Sequence, residues 1–494
     1  MLSGILVIPI VMLIYIWLLE KDEKDEKDIA VFRLGLKCKC AVAIWITFIW
    51  MWYENPIGLF NWDFHIKLNT NWSWYLRLGI DNLSLYLILL TSWLSIWSLL
   101  ISWNSIKKQR KRFIELCLIL EWFVLFVFMI NDLVFFYIGF EAILIPMFLM
   151  IGIWGSRGEK IKASYYLFYY TLIGSLLMLI AILWIYTNVG STDYLWLQTW
   201  NNRDENIERW LWLAFFIAFG VKMPLFPIHL WLPQAHVEAP TYGSTILAGI
   251  LLKLGGYGLL RYNYMLFENA SIYYKPLIWT LSILSIIYGS LNSLRQNDYK
   301  RLIAYSSVAH MGLVTLAILN ENLDAIVGSI ILMLGHGLVS GGLFIAVGIL
   351  YERWHTRIIN YYGGLNYVMP VFSTCFLTLS LANAAVPLSS NFVGEFIILT
   401  SIIKNSLILV IIAGISIVLS AAYSLFLYNR ICMGELNKAI LNSIVIESKV
   451  WEYKYENMNK LKDVDWRETS ILILIVMSVI YIGVFSFNLY ELEL

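Results

Sequence analysis

The chain has 494 residues, of which 60% are hydrophobic and 14% charged, and its formal net charge is +1. Soluble domains carry about 25% charged residues. The composition therefore excludes a water-soluble enzyme and a basic nucleic-acid-binding surface, and it predicts a polytopic membrane protein.

Apolar runs of the length needed to cross a bilayer, about 18 residues, predict spans at 2–19, 40–53, 82–103, 113–131, 133–154, 165–187 and 209–233. They continue at 242–262, 274–294, 302–319, 325–350, 366–402, 405–428 and 469–488. The expected fold is all-α, with about fourteen transmembrane helices if 366–402 is one broken span; the short run at 40–53 is the weakest. The first run has no basic residues before it and no small-residue cleavage site after it, so it reads as a retained span and not as a signal peptide.

Lys and Arg collect in the connections after odd-numbered spans: Lys21, Lys24, Lys27, Arg33, Lys37 and Lys39; Lys107, Lys108, Arg110, Lys111 and Arg112; Arg157, Lys160 and Lys162; Arg295, Lys300 and Arg301. Connections after even-numbered spans are short or balanced to acidic. By the positive-inside rule both termini are expected on the side opposite the compartment of synthesis. The mixed-charge run EKDEKDEKD reads as a solvated helix or loop, and the polar stretch 438–469 as a long surface connection on the basic side.

A charge within hydrocarbon costs several kcal/mol, so ionisable residues there usually face a polar interior and act in function. Glu141 lies eight residues into its span, about 12 Å deep. Lys222, Lys253, His310, His336 and Glu395 fall at similar depth on five other spans. Six such groups form a candidate proton-translocating row. Glu115, near the basic end of the fourth span, and Glu121, without an evident partner, are weaker candidates. His229 and His236 lie late in the seventh span or just past it, where an interfacial histidine and a role in proton uptake are alternatives.

Two spans are expected to break. VKMPLFPIHLWLP places Pro224, Pro227 and Pro233 in the seventh, and LANAAVPLSSNFVGEF places Pro387 in the twelfth. Proline removes a backbone donor and clashes with the preceding turn, and open backbone at membrane depth is tolerated only inside protein or beside a water-filled cavity. The breaks are five spans apart, an odd offset, so units repeated with that offset must be inverted. The expected organisation is helices 1–3 (1–112), a first five-helix repeat (113–262), its inverted twin (263–430), and a charged connection with the last helix (431–494).

In such a row a desolvated acid and a desolvated lysine can each approach neutrality and reset one another, and imidazole can relay a proton between its two nitrogens. No P-loop, G-x-G-x-x-G after a strand or H-E-x-x-H is present. The five cysteines, Cys38, Cys40, Cys117, Cys375 and Cys432, form no cluster and are expected as free thiols. No metal or cofactor site is expected, so the energy for translocation must come from a partner subunit or an ion gradient.

The stretches LGIDNLSLYLILLT, FFYIGFEAILIPMFLMIGIWGSRGEKIKASYYLFYYTLIGS, VKMPLFPIHLWLPQAHVEAPTYGSTILAGILLKLGGYGLLR, DYKRLIAYSSVAHMGLV, LMLGHGLVSGGLF and NYYGGL closely resemble the subunit 4 family of NADH dehydrogenase, antiporter-like membrane subunits of respiratory complex I. The likeness runs from about 78 to 430. It implies fourteen helices with inverted repeats and a part in redox-coupled proton translocation. Glu141 matches the family's fifth-helix glutamate, Lys222 and Lys253 its seventh- and eighth-helix lysines, His310 and His336 its central-axis histidines, and Glu395 its twelfth-helix acid. NADH, flavin (FMN), iron–sulfur clusters and ubiquinone are then expected in partner subunits of complex I, including neighbouring antiporter-like ones, with accessory subunits also possible. The long charged connection after Arg430 departs from the family pattern. The mitochondrial inner membrane is the expected location, with the termini on the intermembrane-space side, ahead of a bacterial or plastid membrane. The competing readings are an Mrp-type cation/proton antiporter or membrane-bound hydrogenase subunit, and a structural scaffold.

Overall fold

The structure, a computed structural model, describes residues 2–18, 25–52, 61–67, 75–200, 204–320, 322–436 and 462–486. The chain divides into two compact units, residues up to Ile278 and residues from Trp279.

The first unit opens with α1 (Leu2–Leu18) and α2 (Asp25–Met51), followed by the hairpin strands β1 (Asn61–Lys67) and β2 (Tyr75–Ile80). The all-α expectation is corrected by this antiparallel hairpin, in which His65 pairs with Arg77. A second correction concerns α2. It starts fifteen residues before the expected 40–53 span, so Arg33, Lys37 and Lys39 are helical and not loop residues.

Next come α3 (Asn82–Ser105), α4 (Arg110–Met129), α5 (Leu133–Ala142), α6 (Leu144–Trp154), α7 (Lys160–Val189) and the short α8 (Tyr194–Gln198). Asp81 caps α3 by accepting from the Ser84 amide at 3.0 Å, which satisfies a donor left open by the first turn. The expected span 133–154 is two helical pieces because Pro146, in α6, has no amide to offer the carbonyl four residues back. The ladder therefore opens beside Glu141.

The seventh span breaks as expected: α9 (Glu205–Lys222) ends, residues 223–230 are irregular, and α10 (Trp231–Glu238) resumes. The Trp231 indole donates to the freed Val221 carbonyl at 2.9 Å. The eighth span runs through α11 (Thr241–Ile246), a π-helical turn (Leu247–Leu251), α12 (Leu252–Gly258) and a second π-helical turn (Leu259–Tyr264).

The division between units falls within α13 (Glu268–Leu294). The second unit continues with α14 (Tyr299–Ile318), α15 (Leu323–Trp354), the short α16 (Leu365–Val368), α17 (Pro370–Asn383), α18 (Ser390–Ile403), α19 (Leu407–Cys432) and α20 (Trp466–Val484). The twelfth span breaks as expected between α17 and α18. Ala385 (φ 56°) and Leu388 (φ 75°) take left-handed backbone there, a conformation that costs of order 1–3 kcal/mol per residue unless its surroundings hold it.

Helix α15 packs against α14, α17, α18 and α20 and is almost wholly buried. Two glycines permit the approach: a Cβ on Gly394 would stand 2.8 Å from the Leu332 backbone, and one on Gly335 2.7 Å from the Ser390 hydroxyl. The expected connection 438–469 lies mostly outside the described residues. At its described end, Asp463 accepts from the amides of Val371 and Phe372 at 2.8 and 3.2 Å, and Arg353 bonds Glu468 at 2.8 Å.

Among the described residues nine helices are long and apolar enough to cross a membrane: α3, α5–α6, α7, α11 through the second π turn, α13, α14, α15, α19 and α20. On α19, Ile408, Ile411, Ile415 and Val418 are exposed, the apolar face that hydrocarbon would cover. This is a helical membrane protein.

Candidate functional site

In the first unit the seventh-span break fixes Lys222. It is the last residue of α9, where the negative end of the helix dipole favours a cation. Its Nζ stands 4.5 Å from the centre of the Phe140 ring, and it is buried. Glu141, the next residue after Phe140, interacts electrostatically with Lys222 and with the Ser175 hydroxyl of α7. The two are coupled by the Coulombic interaction of their charges, without a direct ion pair. Such a separation lets a proton on either group alter the other's charge balance without locking the lysine in place.

Lys253 is fully buried in α12, just past the first π turn, and donates to the Ala248 carbonyl at 2.6 Å. The π turn widens the helix there, a distortion common at functional sites. His229 lies in the seventh-span break with its ring stacked on Phe226 at 5.7 Å, and His236 lies in α10. Both are buried within the protein.

In the second unit the groups meet directly. Nδ1 of His310, on α14, is 2.9 Å from Oε1 of Glu395, which lies one and a half turns into α18 after the twelfth-span break. The other ring nitrogen is 3.2 Å from the Tyr423 hydroxyl of α19. The rings of His310 and His336 are 5.5 Å apart, and His336 Nε2 is 3.1 Å from the Ser307 hydroxyl. With both nitrogens engaged, His310 can pass a proton between a carboxylate and a hydroxyl by exchanging tautomers.

Sequence reasoning missed Tyr423, since an intramembrane tyrosine carries no charge to attract notice. It also missed a buried ion pair. Lys39 of α2 lies 2.5 Å from Glu121 of α4; the Glu121 carboxylate also accepts from Ser95 at 2.8 Å, and the Lys39 ammonium is 3.2 Å from the Tyr242 hydroxyl. The expectation that Glu121 lacks a partner is thereby corrected. The only available signal was Lys39 itself, which the sequence placed in a loop.

Among the described residues no group of three or more His, Cys, Asp or Glu side chains is placed to hold a metal ion. The five cysteines are free.

The profile of the NADH:quinone oxidoreductase/Mrp antiporter transmembrane family matches residues 130–420. This chain belongs to that family. It is 44% identical over 455 residues to NADH-ubiquinone oxidoreductase chain 4 of Chondrus crispus, covering 92% of this chain and 88% of the relative. It is 42% identical over 485 residues to the chain 4 protein of Arabidopsis thaliana, covering 98% of this chain and 93% of that one. Among solved structures, a chain of respiratory complex I from Thermus thermophilus with bound NADH superposes with a TM-score of 0.86 at 28% identity, over 100% of this chain and 98% of that one. A chain of an archaeal membrane-bound sulfane sulfur reductase shares the fold, with a TM-score of 0.83 at 21% identity over 97% and 75% of the two chains. The chain thus shares its fold with a chain of respiratory complex I.

Proposed function

We propose that this chain is a membrane-arm subunit of respiratory complex I that translocates protons, driven by NADH:ubiquinone electron transfer in other subunits. The observation that carries the reading is the set of buried protonatable groups beside two proline-broken helices, in a chain similar along nearly its whole length to chain 4 proteins. Glu141 with Lys222 acts as the input switch, Lys253 receives the released proton, His310 and His336 relay it, and Glu395 is the terminal acid. His229 and His236 serve proton uptake.

In this reading the chain crosses the membrane fourteen times, with α5–α6, α9–α10, α11–α12 and α17–α18 each taken as one interrupted span. In this reading 113–262 and 263–430 are inverted five-helix repeats, because their breaks are five spans apart. NADH, flavin, iron–sulfur clusters and ubiquinone belong to partner subunits. The location is the mitochondrial inner membrane, with termini facing the intermembrane space and the Lys/Arg-rich connections in the matrix.

Gentle solubilisation of native membranes, separation on a native gel, staining for NADH oxidation and mass spectrometry test the assignment. The chain is expected in the large NADH-oxidising band. Its presence only in a smaller complex without that activity would favour the Mrp-type antiporter reading.

A further inference from the structure

The end of the eighth span carries charge that the proton route above does not use. Lys253, Tyr257 and Arg261 recur every four residues, the spacing of one helix face. Arg261 lies eight residues beyond Lys253, about 12 Å along the axis. Tyr257 stands between them, donating to the Phe128 carbonyl at 3.4 Å and accepting from Arg261.

Three connections converge on Arg261, all at the face opposite the Lys/Arg-rich loops. Its side chain is only 3% exposed. One guanidinium nitrogen donates to Asp81 Oδ2 at 3.1 Å and the other to Asn131 Oδ1 at 2.9 Å. The Tyr194 ring lies 4.9 Å from the guanidinium carbon. Backbone bonds hold the cluster together: Asn131 donates to the Arg77 carbonyl at 3.0 Å, and Tyr194 to the Asn131 carbonyl at 2.9 Å. Asp81 uses its second oxygen to cap α3, so it holds Arg261 from a fixed position. Asp81, the carboxylate that Arg261 holds, is 28% exposed, so the ladder from Lys253 ends at a carboxylate open to the surface.

A lysine, a phenol and a surface carboxylate along one helix face would offer a proton a route from the membrane interior to one face. Arg261 interrupts it. A guanidinium does not deprotonate in proteins, so it cannot hand a proton on, and in a poorly polarisable setting its fixed charge repels an excess proton. We propose that Arg261, pinned by Asp81 and Asn131, is an electrostatic barrier that seals the Lys253 end of the first unit from the face opposite the basic loops. A proton on Lys253 then has no outlet there and must move on along the row. This rests on the proton-translocation reading above.

The test uses the intact complex reconstituted in liposomes, with passive proton flux measured under an imposed pH gradient without NADH, and NADH-driven pumping measured separately. The double variant Arg261→Gln/Asp81→Asn leaves no unpaired charge behind. It is expected to raise passive flux several-fold, because neither remaining side chain carries a fixed positive charge to repel an excess proton. Asp81→Asn alone, which keeps the guanidinium, is expected to stay as tight as wild type. A tight double variant overturns the inference, as does a leak in Asp81→Asn equal to that of the double variant. A wild-type complex that fails to pump on NADH would instead remove the underlying reading, so the two failures are distinguishable.

Discussion

Glu395→Gln is expected to leave the complex assembled and to cut its NADH-driven proton pumping by about 100-fold, the scale set by loss of a positioned proton donor–acceptor. Glutamine keeps the shape of the side chain and can still meet His310 Nδ1, which lies 2.9 Å from the native carboxylate. It cannot hold the proton that the relay must deliver. Tyr423→Phe makes a useful companion, since it removes only the hydroxyl 3.2 Å from the other ring nitrogen and leaves the carboxylate in place. Pumping by reconstituted complex separates the two: a Glu395→Gln complex that pumps at the wild-type rate would make His310 and Glu395 a packing pair and not a relay.

Lys39→Met is expected to have the largest effect on stability. The Lys39 and Glu121 side chains are 0% and 3% exposed, so the substitution strands a buried carboxylate with the Ser95 hydroxyl as its remaining side-chain donor. Breaking one side of a buried pair typically costs about 3–5 kcal/mol, whereas replacing both sides with apolar groups is often neutral. Lys39→Met should therefore lower the yield of assembled complex and its thermal midpoint, and Lys39→Met/Glu121→Leu should recover most of the loss. A single variant that melts with wild type would show that the pair contributes little to holding α2 against α4.

Both expectations concern residues whose type was readable in the sequence but whose partners were not. The proline breaks were legible because a missing amide acts locally: Pro224 and Pro227 lie in one break and Pro387 in the other, although Pro9 and Pro276 sit inside continuous helices. Pro146 obeys the same rule, yet one proline in an unbroken apolar run gave less warning than a cluster. The start of α2 was obscured by Lys39, since a charge that will be buried in a pair looks, along the chain, like a charge in solvent. The hairpin escaped notice because strands of seven and six residues are too short to register in a search for membrane-length apolar runs.

The site shows the same division. Burial depth singled out Glu141, Lys222, Lys253, His310, His336 and Glu395, because an ionisable group in the middle of an apolar run is conspicuous by itself. Pairing depends on packing between distant segments: His310 meets Glu395 across 85 positions and Lys39 meets Glu121 across 82. The position of Lys222 is an intermediate case. That it ends a helix follows from Pro224, but its placement over Phe140 required α5 to be set against α9.

The most direct measurement is the number of protons translocated per NADH oxidised by reconstituted complex carrying Lys222→Met, compared with wild type. Methionine retains the length and apolar stem of lysine in a buried position at the end of α9, so the fold should survive. If this chain carries protons through the Glu141–Lys222 switch, the variant complex assembles and its proton-to-electron ratio or its coupled turnover falls sharply. An assembled Lys222→Met complex with wild-type stoichiometry and wild-type rate would contradict that role and leave the buried charges as structural elements.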